Sequence, residues 1–194
     1  MSDFPGKISS ILFLSGCNFA CPFCHNKHLW GPTFIGPTNY DILLDIPINY
    51  ILEYLQSRHG KITGVVISGG EPTINSDLPE LCKSILEVNS ELRIKLDTNG
   101  SNPHMLKYLI DNHLVNFVAM DIKAPWKKYE LLGGVKIVLE DIKESVEIIK
   151  TRLPNDHIFR TTYYTELLDD KDINEIKSQL EGEPLTIQRY ISEY

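Results

Sequence analysis

Short apolar runs recur along the chain, and most are followed by a stretch whose apolar positions return every three to four residues. Alternation of these two periods predicts strands alternating with helices, and hence a parallel α/β sheet. The predicted strands are 7–14, 64–68, 93–97, 117–121, 157–164 and 185–191. Between them, 41–58 is apolar at helical intervals through Leu44, Ile48, Ile51, Leu52 and Leu55, with Pro47 setting the true start. A second helix is predicted over 77–88, opened by Asp77 as a cap and Pro79 in its first turn. Further helices are predicted to start near Pro103 and to cover 139–151 and 170–180. A closed eight-stranded barrel typically needs about 250 residues. Six strand–helix units in 194 residues therefore predict an open six-stranded partial barrel, a single domain over residues 1–194. No internal repeat or linker interrupts it; the Pro/Gly-dense 31–37 reads as a loop.

Composition narrows the class. Hydrophobic content of 42% and charged content of 23% suit a soluble globular protein, and a net charge of −7 argues against non-specific nucleic-acid binding. The N-terminus lacks the basic and apolar regions of a signal peptide, and no apolar run reaches membrane-spanning length. A cytosolic protein without nucleic-acid or membrane partners is expected.

The densest chemistry is Cys17-Asn-Phe-Ala-Cys21-Pro-Phe-Cys24, directly after the first strand. Three thiolates on one tight loop can hold three irons of a [4Fe–4S] cluster and leave the fourth iron open to a substrate or cofactor. Zinc is the competing reading, with His25 or His28 as a fourth ligand. Cys82 falls on the apolar stripe of the second helix with Leu78, Leu81, Ile85 and Leu86, and reads as a buried small hydrophobe. Active sites of parallel barrels gather at the C-terminal ends of strands. The unusual polar residues fall at those ends: Ser68-Gly-Gly-Glu-Pro72, Asp97-Thr-Asn-Gly100, Asp121-Ile-Lys123, Arg160, and Gln188-Arg189. Each has a plainer reading, such as a turn at Gly69-Gly70, a cap at Asp97 or an exposed ion pair at Asp121 and Lys123.

The cysteine spacing, with aromatic Phe23 before the third cysteine, resembles the radical S-adenosylmethionine superfamily. Asp97-Thr-Asn-Gly100 and Met120-Asp-Ile-Lys-Ala-Pro125 resemble its glycyl-radical-enzyme activating branch. The likeness extends from Phe4-Pro-Gly-Lys7 to Gln188-Arg-Tyr190, and is strongest to activating proteins of anaerobic ribonucleoside-triphosphate reductase. The chain departs from the family after Arg160-Thr-Thr162, where Tyr163-Tyr164 stands in place of an aliphatic run.

The resemblance implies a cluster on Cys17, Cys21 and Cys24 and S-adenosylmethionine as cofactor. Phe23, Ser68, Gly69, Gly70, Glu71, Asp97, Asn99, Lys123 and Arg160 would lie around that cofactor. Within this set the glycine segment's backbone would take the amino group, Asp97 the ribose or amino-acid region, and Lys123 the carboxylate. A monovalent cation would sit on Asp97, Thr98, the main chain of Met120, and Asp121. His25 would act near the cluster as a hydrogen-bonding neighbour. A flavodoxin or ferredoxin would supply the electron, and the target would be a glycine of a partner enzyme. The alternatives are a small-molecule enzyme resembling 7-carboxy-7-deazaguanine synthase, and a non-catalytic zinc or electron-transfer protein.

Overall fold

The computed structural model describes residues 3–31 and 46–191. Its six strands are β1 (Ser9–Leu14), β2 (Gly64–Gly69), β3 (Arg93–Thr98), β4 (Phe117–Asp121), β5 (His157–Tyr163) and β6 (Leu185–Arg189). All neighbours pair in parallel, in the order β1-β2-β3-β4-β5-β6. A sequential order means that every crossover runs the same way, and parallel crossovers are right-handed. All connecting helices therefore pack on one face, and the opposite face is left as a concavity. With β1 and β6 at the two ends of the order, the sheet is the open six-stranded partial barrel expected.

The helices are α1 (Ile48–Ser57), α2 (Leu78–Val88), α3 (Pro103–Asp111), α4 (Tyr129–Gly133), α5 (Leu139–Arg152) and α6 (Asp170–Gln179). Pro47 is the cap of α1, as its fixed φ favours; the predicted start of this helix at 41–45 and the 32–37 part of the expected loop lie outside the described residues. Asp77 occupies the cap of α2 but makes no side-chain cap hydrogen bond, so Pro79 in the first turn carries that start alone. Asn102 caps α3 by accepting from the Met105 amide at 3.1 Å, and α6 opens on a capping box between Asp169 and Asp172. Helix α4 and the short helical turns Lys27–Leu29, Pro72–Ile74 and Trp126–Lys128 have no counterpart among the predicted elements, being too short to show a period.

Alternation along each strand divides the side chains between the two faces. Val65, Ile67, Ile94, Leu96, Val118, Met120 and Phe159 meet Leu55, Cys82, Leu106, Ile149 and Ile176 from the helices in one continuous core. Burying each such aliphatic side chain is worth about 1.5–3 kcal/mol. Cys82 is fully buried there, and burial pushes its thiol up to about 12. The residues between them in sequence, Ser68, Lys95, Asp97, Asp121, Arg160 and Gln188, face the concavity. Among the described residues no helix is long and apolar enough to cross a membrane.

Candidate active site

At the C-terminal ends of the strands the concavity deepens into a cavity of about 290 Å³. Its walls come from the cysteine loop, the glycine turn after β2 and the ends of β3 to β6. Cys17, Cys21, Cys24, Phe23, Ser68, Gly69, Gly70, Glu71, Asp97, Asn99, Lys123 and Arg160 all line it, so every residue expected around the cluster and its cofactor reaches one space.

The cysteine loop is closed on itself. The Gly16 amide donates to the Leu29 carbonyl at 2.7 Å and the Cys17 amide to the Trp30 carbonyl at 3.4 Å, so the segment leaves and rejoins the rim at one place. The Ala20 amide donates to the Gly133 carbonyl at 2.8 Å and ties the loop to α4. All four cysteines are free thiols. Burial pushes Cys17 up to about 11, against the lowering effect of the Phe19 amide, and burial likewise raises Cys21 against the nearby Lys123. Two sulfurs accept hydrogen bonds: Cys17 Sγ from the Phe19 amide at 3.4 Å, and Cys24 Sγ from the Trp30 indole at 3.3 Å. His25 is exposed and meets the Tyr190 ring edge-on at 5.0 Å, and His28 is exposed.

Gly69 and Gly70 let this loop approach β2. Gly69 has φ +125°, and a Cβ there would lie 2.2 Å from the Leu14 carbonyl oxygen; one on Gly70 would lie 2.0 Å from that of Gly16. Only glycine fits either position. The Gly70 and Glu71 amides then donate to the Leu14 and Gly16 carbonyls at 3.0 and 2.8 Å, clamping the cysteine loop to the glycine turn. The Glu71 side chain is turned away from the open space. Its Oε1 accepts from the Thr73 amide (3.1 Å), the Thr73 hydroxyl (2.6 Å) and the Thr98 hydroxyl (2.7 Å), and its Oε2 from the Asn99 amide (2.6 Å). This carboxylate pins the β2 and β3 loops together. Burial raises it above the ordinary glutamate range in spite of those four donors.

The other wall is a chain of alternating charges. Lys95 pairs with Asp97 Oδ1, Asp97 Oδ2 accepts from Arg160 Nη1 at 3.2 Å, Arg160 Nε donates to Asp121 Oδ1 at 2.8 Å, and Lys123 Nζ donates to Asp121 Oδ2 at 3.0 Å. Ser68 Oγ also donates to Asp97 Oδ2, at 3.4 Å. Register explains the array, because Asp121 on β4 pairs with Arg160 on β5, and residues two apart share a face. Lys95 is buried beneath Asp97, so the cavity itself meets two cations, Lys123 and Arg160, balanced by two carboxylates, and the N–H donors of those two cations suit a carboxylate ligand. Burial alone would raise Asp121, but Arg160 and Lys123 hold it down at about 2. Burial opposes charge on Lys123 and Arg160 as well, yet Asp121 keeps the first above the ordinary lysine range, and Asp121 and Asp97 do the same for the arginine.

Of the donors expected for a monovalent cation, Asp97 and Asp121 are thus directed at Lys95, Arg160 and Lys123, the Thr98 hydroxyl at Glu71, and Met120 lies buried in β4. Among the described residues no set of three or more His, Cys, Asp or Glu side chains is gathered as the ligands of one ion. A [4Fe–4S] cluster takes one thiolate per iron and asks for three thiols along one concave wall. The cysteine loop presents that wall, with N–H donors on two of its sulfurs.

Two residues join the site without having stood out in the sequence. Lys95 is buried beneath Asp97, and its signal is a lone charge inside Ile94-Lys-Leu96, in step with Asp97. Trp30 lies six residues beyond Cys24, and only the loop's closure brings it back.

The Radical SAM superfamily profile matches residues 11–179. The "Putative glycyl-radical enzyme activating enzyme" of Methanocaldococcus jannaschii is 33% identical over 178 residues, 90% of this chain and 69% of that protein. The pyruvate formate-lyase-activating enzyme of Staphylococcus aureus is 30% identical over 160 residues, 80% of this chain and 55% of that one. The fold is shared with SuiB of Streptococcus suis bound to S-adenosylmethionine, at TM-score 0.69 and 16% identity over 98% of this chain and 42% of that chain. The chain thus spans about two fifths to two thirds of the length of these proteins.

Proposed function

The chain belongs to the radical SAM superfamily, and we propose that it is a glycyl-radical-enzyme activating enzyme whose partner is anaerobic ribonucleoside-triphosphate reductase. One observation carries the reading: three free thiols, a glycine turn that only glycine permits and the paired charges of Asp97, Asp121, Lys123 and Arg160 line one cavity. The likeness to glycyl-radical activating enzymes at 33% and 30% identity supports the reaction class. The specific partner rests on the motifs around Phe4-Pro-Gly, Asp97-Thr-Asn-Gly100 and Met120-Asp-Ile-Lys123.

Cys17, Cys21 and Cys24 would hold three irons of a [4Fe–4S] cluster. Their burial keeps two of the thiols protonated when free, so metal binding must displace protons and strengthens as pH rises. When bound, the cluster and S-adenosylmethionine would supply radical chemistry, one-electron reductive cleavage of a sulfonium carbon–sulfur bond for hydrogen abstraction from a glycine Cα. The chain's residues supply position and charge. Lys123 and Arg160 would hold a carboxylate ligand on the charged wall, and the Ser68–Glu71 backbone would take an ammonium group. Asp97, fixed by Lys95 and Arg160, faces the same ligand, and Phe23 lines the cavity over the cysteines. Glu71 and Asn99 act through the loops they join. A monovalent cation on Asp97, Thr98, the main chain of Met120 and Asp121 would have to displace Lys95, Arg160 and Lys123 from the two carboxylates. Electrons would come from a flavodoxin or ferredoxin in the cytosol.

The test is electron paramagnetic resonance on anaerobically reconstituted, reduced protein with and without S-adenosylmethionine. A [4Fe–4S]⁺ signal that shifts with the compound, followed by a glycine radical in the added reductase, is expected. A cluster indifferent to the compound removes the reaction class. Cleavage that marks no glycine in the reductase, but turns over a small molecule without a protein, favours the small-molecule alternative.

A further inference from the structure

The cysteine loop carries a donor that the proposed reaction does not use. Gly16 and Cys17 close on Leu29 and Trp30 through backbone hydrogen bonds, which fixes where Trp30 departs from the rim. Leu29, buried beside it, anchors the turn that precedes Trp30. From there the indole reaches back across six residues and aims Nε1–H at Cys24 Sγ, 3.3 Å away. The indole nitrogen can only donate, so the sulfur is the acceptor. Trp30 also lines the cavity and is half-buried, and the bond itself is partly buried.

A donor on a cluster thiolate draws electron density from the sulfur. It favours the reduced cluster, which carries one more negative charge, and so raises the reduction potential. The Phe19 amide does the same for Cys17. That donor is main chain, present whatever the residue, whereas the indole is a side chain that sequence can add or remove. His25, adjacent to Cys24 in sequence, is instead packed on Tyr190.

On the reading of the loop as a cluster site, we propose that Trp30 is a positioning residue that raises the cluster's reduction potential through its N–H bond to Cys24. It makes the cluster easier for a cellular electron donor to reduce. It does not ligate iron or contact the substrate.

The experiment is a redox titration of the reconstituted cluster, followed by electron paramagnetic resonance, in wild type and Trp30→Phe. The substitution keeps an aromatic ring and deletes the donor. Iron and sulfide content equal to wild type, with a midpoint shifted to lower potential, is the expected result. Pulsed resonance on wild-type protein carrying ¹⁵N-indole tryptophan gives a readout that does not depend on the variant's folding: coupling of the reduced cluster to an indole nitrogen is expected. An unshifted midpoint at full cluster content, or no indole coupling, overturns the role of Trp30 and leaves the proposed function standing. A wild-type protein that assembles no iron–sulfur cluster overturns both.

Discussion

The cysteine wall of the cavity comes from residues 17–30, one continuous loop closed by its own backbone, whereas the charged wall draws Lys95, Asp97, Asp121, Lys123 and Arg160 from three strands and their ends. The first has its donors local in sequence and its fixing points few. The second has partners up to 63 residues apart, fixed by strand register. A cluster site can therefore be written in one short segment because the inorganic group itself organises the ligands. A site for a flexible organic cation with a carboxylate needs charges placed in advance, and a parallel sheet places them at every second residue.

Removing the loop's chemistry should have the largest effect. Cys17→Ala, Cys21→Ala or Cys24→Ala is expected to abolish stable cluster assembly, read as iron and sulfide bound after reconstitution. Next comes the joint between the walls. Gly70→Ala would place a methyl 2.0 Å from the Gly16 carbonyl oxygen, so iron uptake should fall several-fold while the far-ultraviolet circular dichroism stays native; unchanged uptake would show that the loop docks independently.

The charged wall should break in the opposite manner. Arg160→Leu leaves Asp97 and Asp121, both half-buried, each with one cation fewer, so the loss should be smaller than the ~3–5 kcal/mol typical of breaking a fully buried pair. Denaturant unfolding should show that loss, and the variant should keep its cluster but bind S-adenosylmethionine weakly. Retained affinity would remove Arg160 from the ligand site.

The buried carboxyl of Glu71 and the half-buried one of Asp121 should separate by pH. Asp121 is lowered from an ordinary 3.8 to about 2, so its contribution to stability is complete above the ordinary value and is lost as pH falls toward 2. Glu71 is raised by burial, so its contribution is present below the ordinary glutamate value and declines as pH rises through the raised one. Asp121→Asn should flatten the acid limb of the stability profile, and Glu71→Gln the limb above it. Identical profiles for the two variants would contradict the difference in their partners, cations in one case and neutral donors in the other. The smallest effect belongs to the fourth cysteine: Cys82→Ala, in the core between sheet and helices, should cost about 1 kcal/mol by lost burial and leave iron content unchanged.

Much of this architecture is legible in the amino-acid sequence. The alternation of periods marks all six strands to within a few residues, because an apolar strand between amphipathic helices has a strong local signal. The loop's cysteines and the polar residues at strand ends are marked by spacing in the same way. Lys95 and Trp30 are not, since a lone lysine in a strand and a tryptophan after a loop mean nothing until register and loop closure give them partners. Glu71, expected beside the cofactor, lines the cavity, and its carboxylate forms the joint between two loops, a role no local pattern shows.

By itself the sequence determined which groups are present and on which strand end each would stand, because period and spacing are properties of neighbours along the chain. Only the tertiary structure decided which of those groups meet. The pairing of Asp121 with Arg160 and the clamp between Gly70 and the cysteine loop depend on register and crossover direction, which are settled by burying the whole core at once. The return of Trp30 to Cys24 depends on the closure of its own loop in three dimensions, which spacing along the chain does not show.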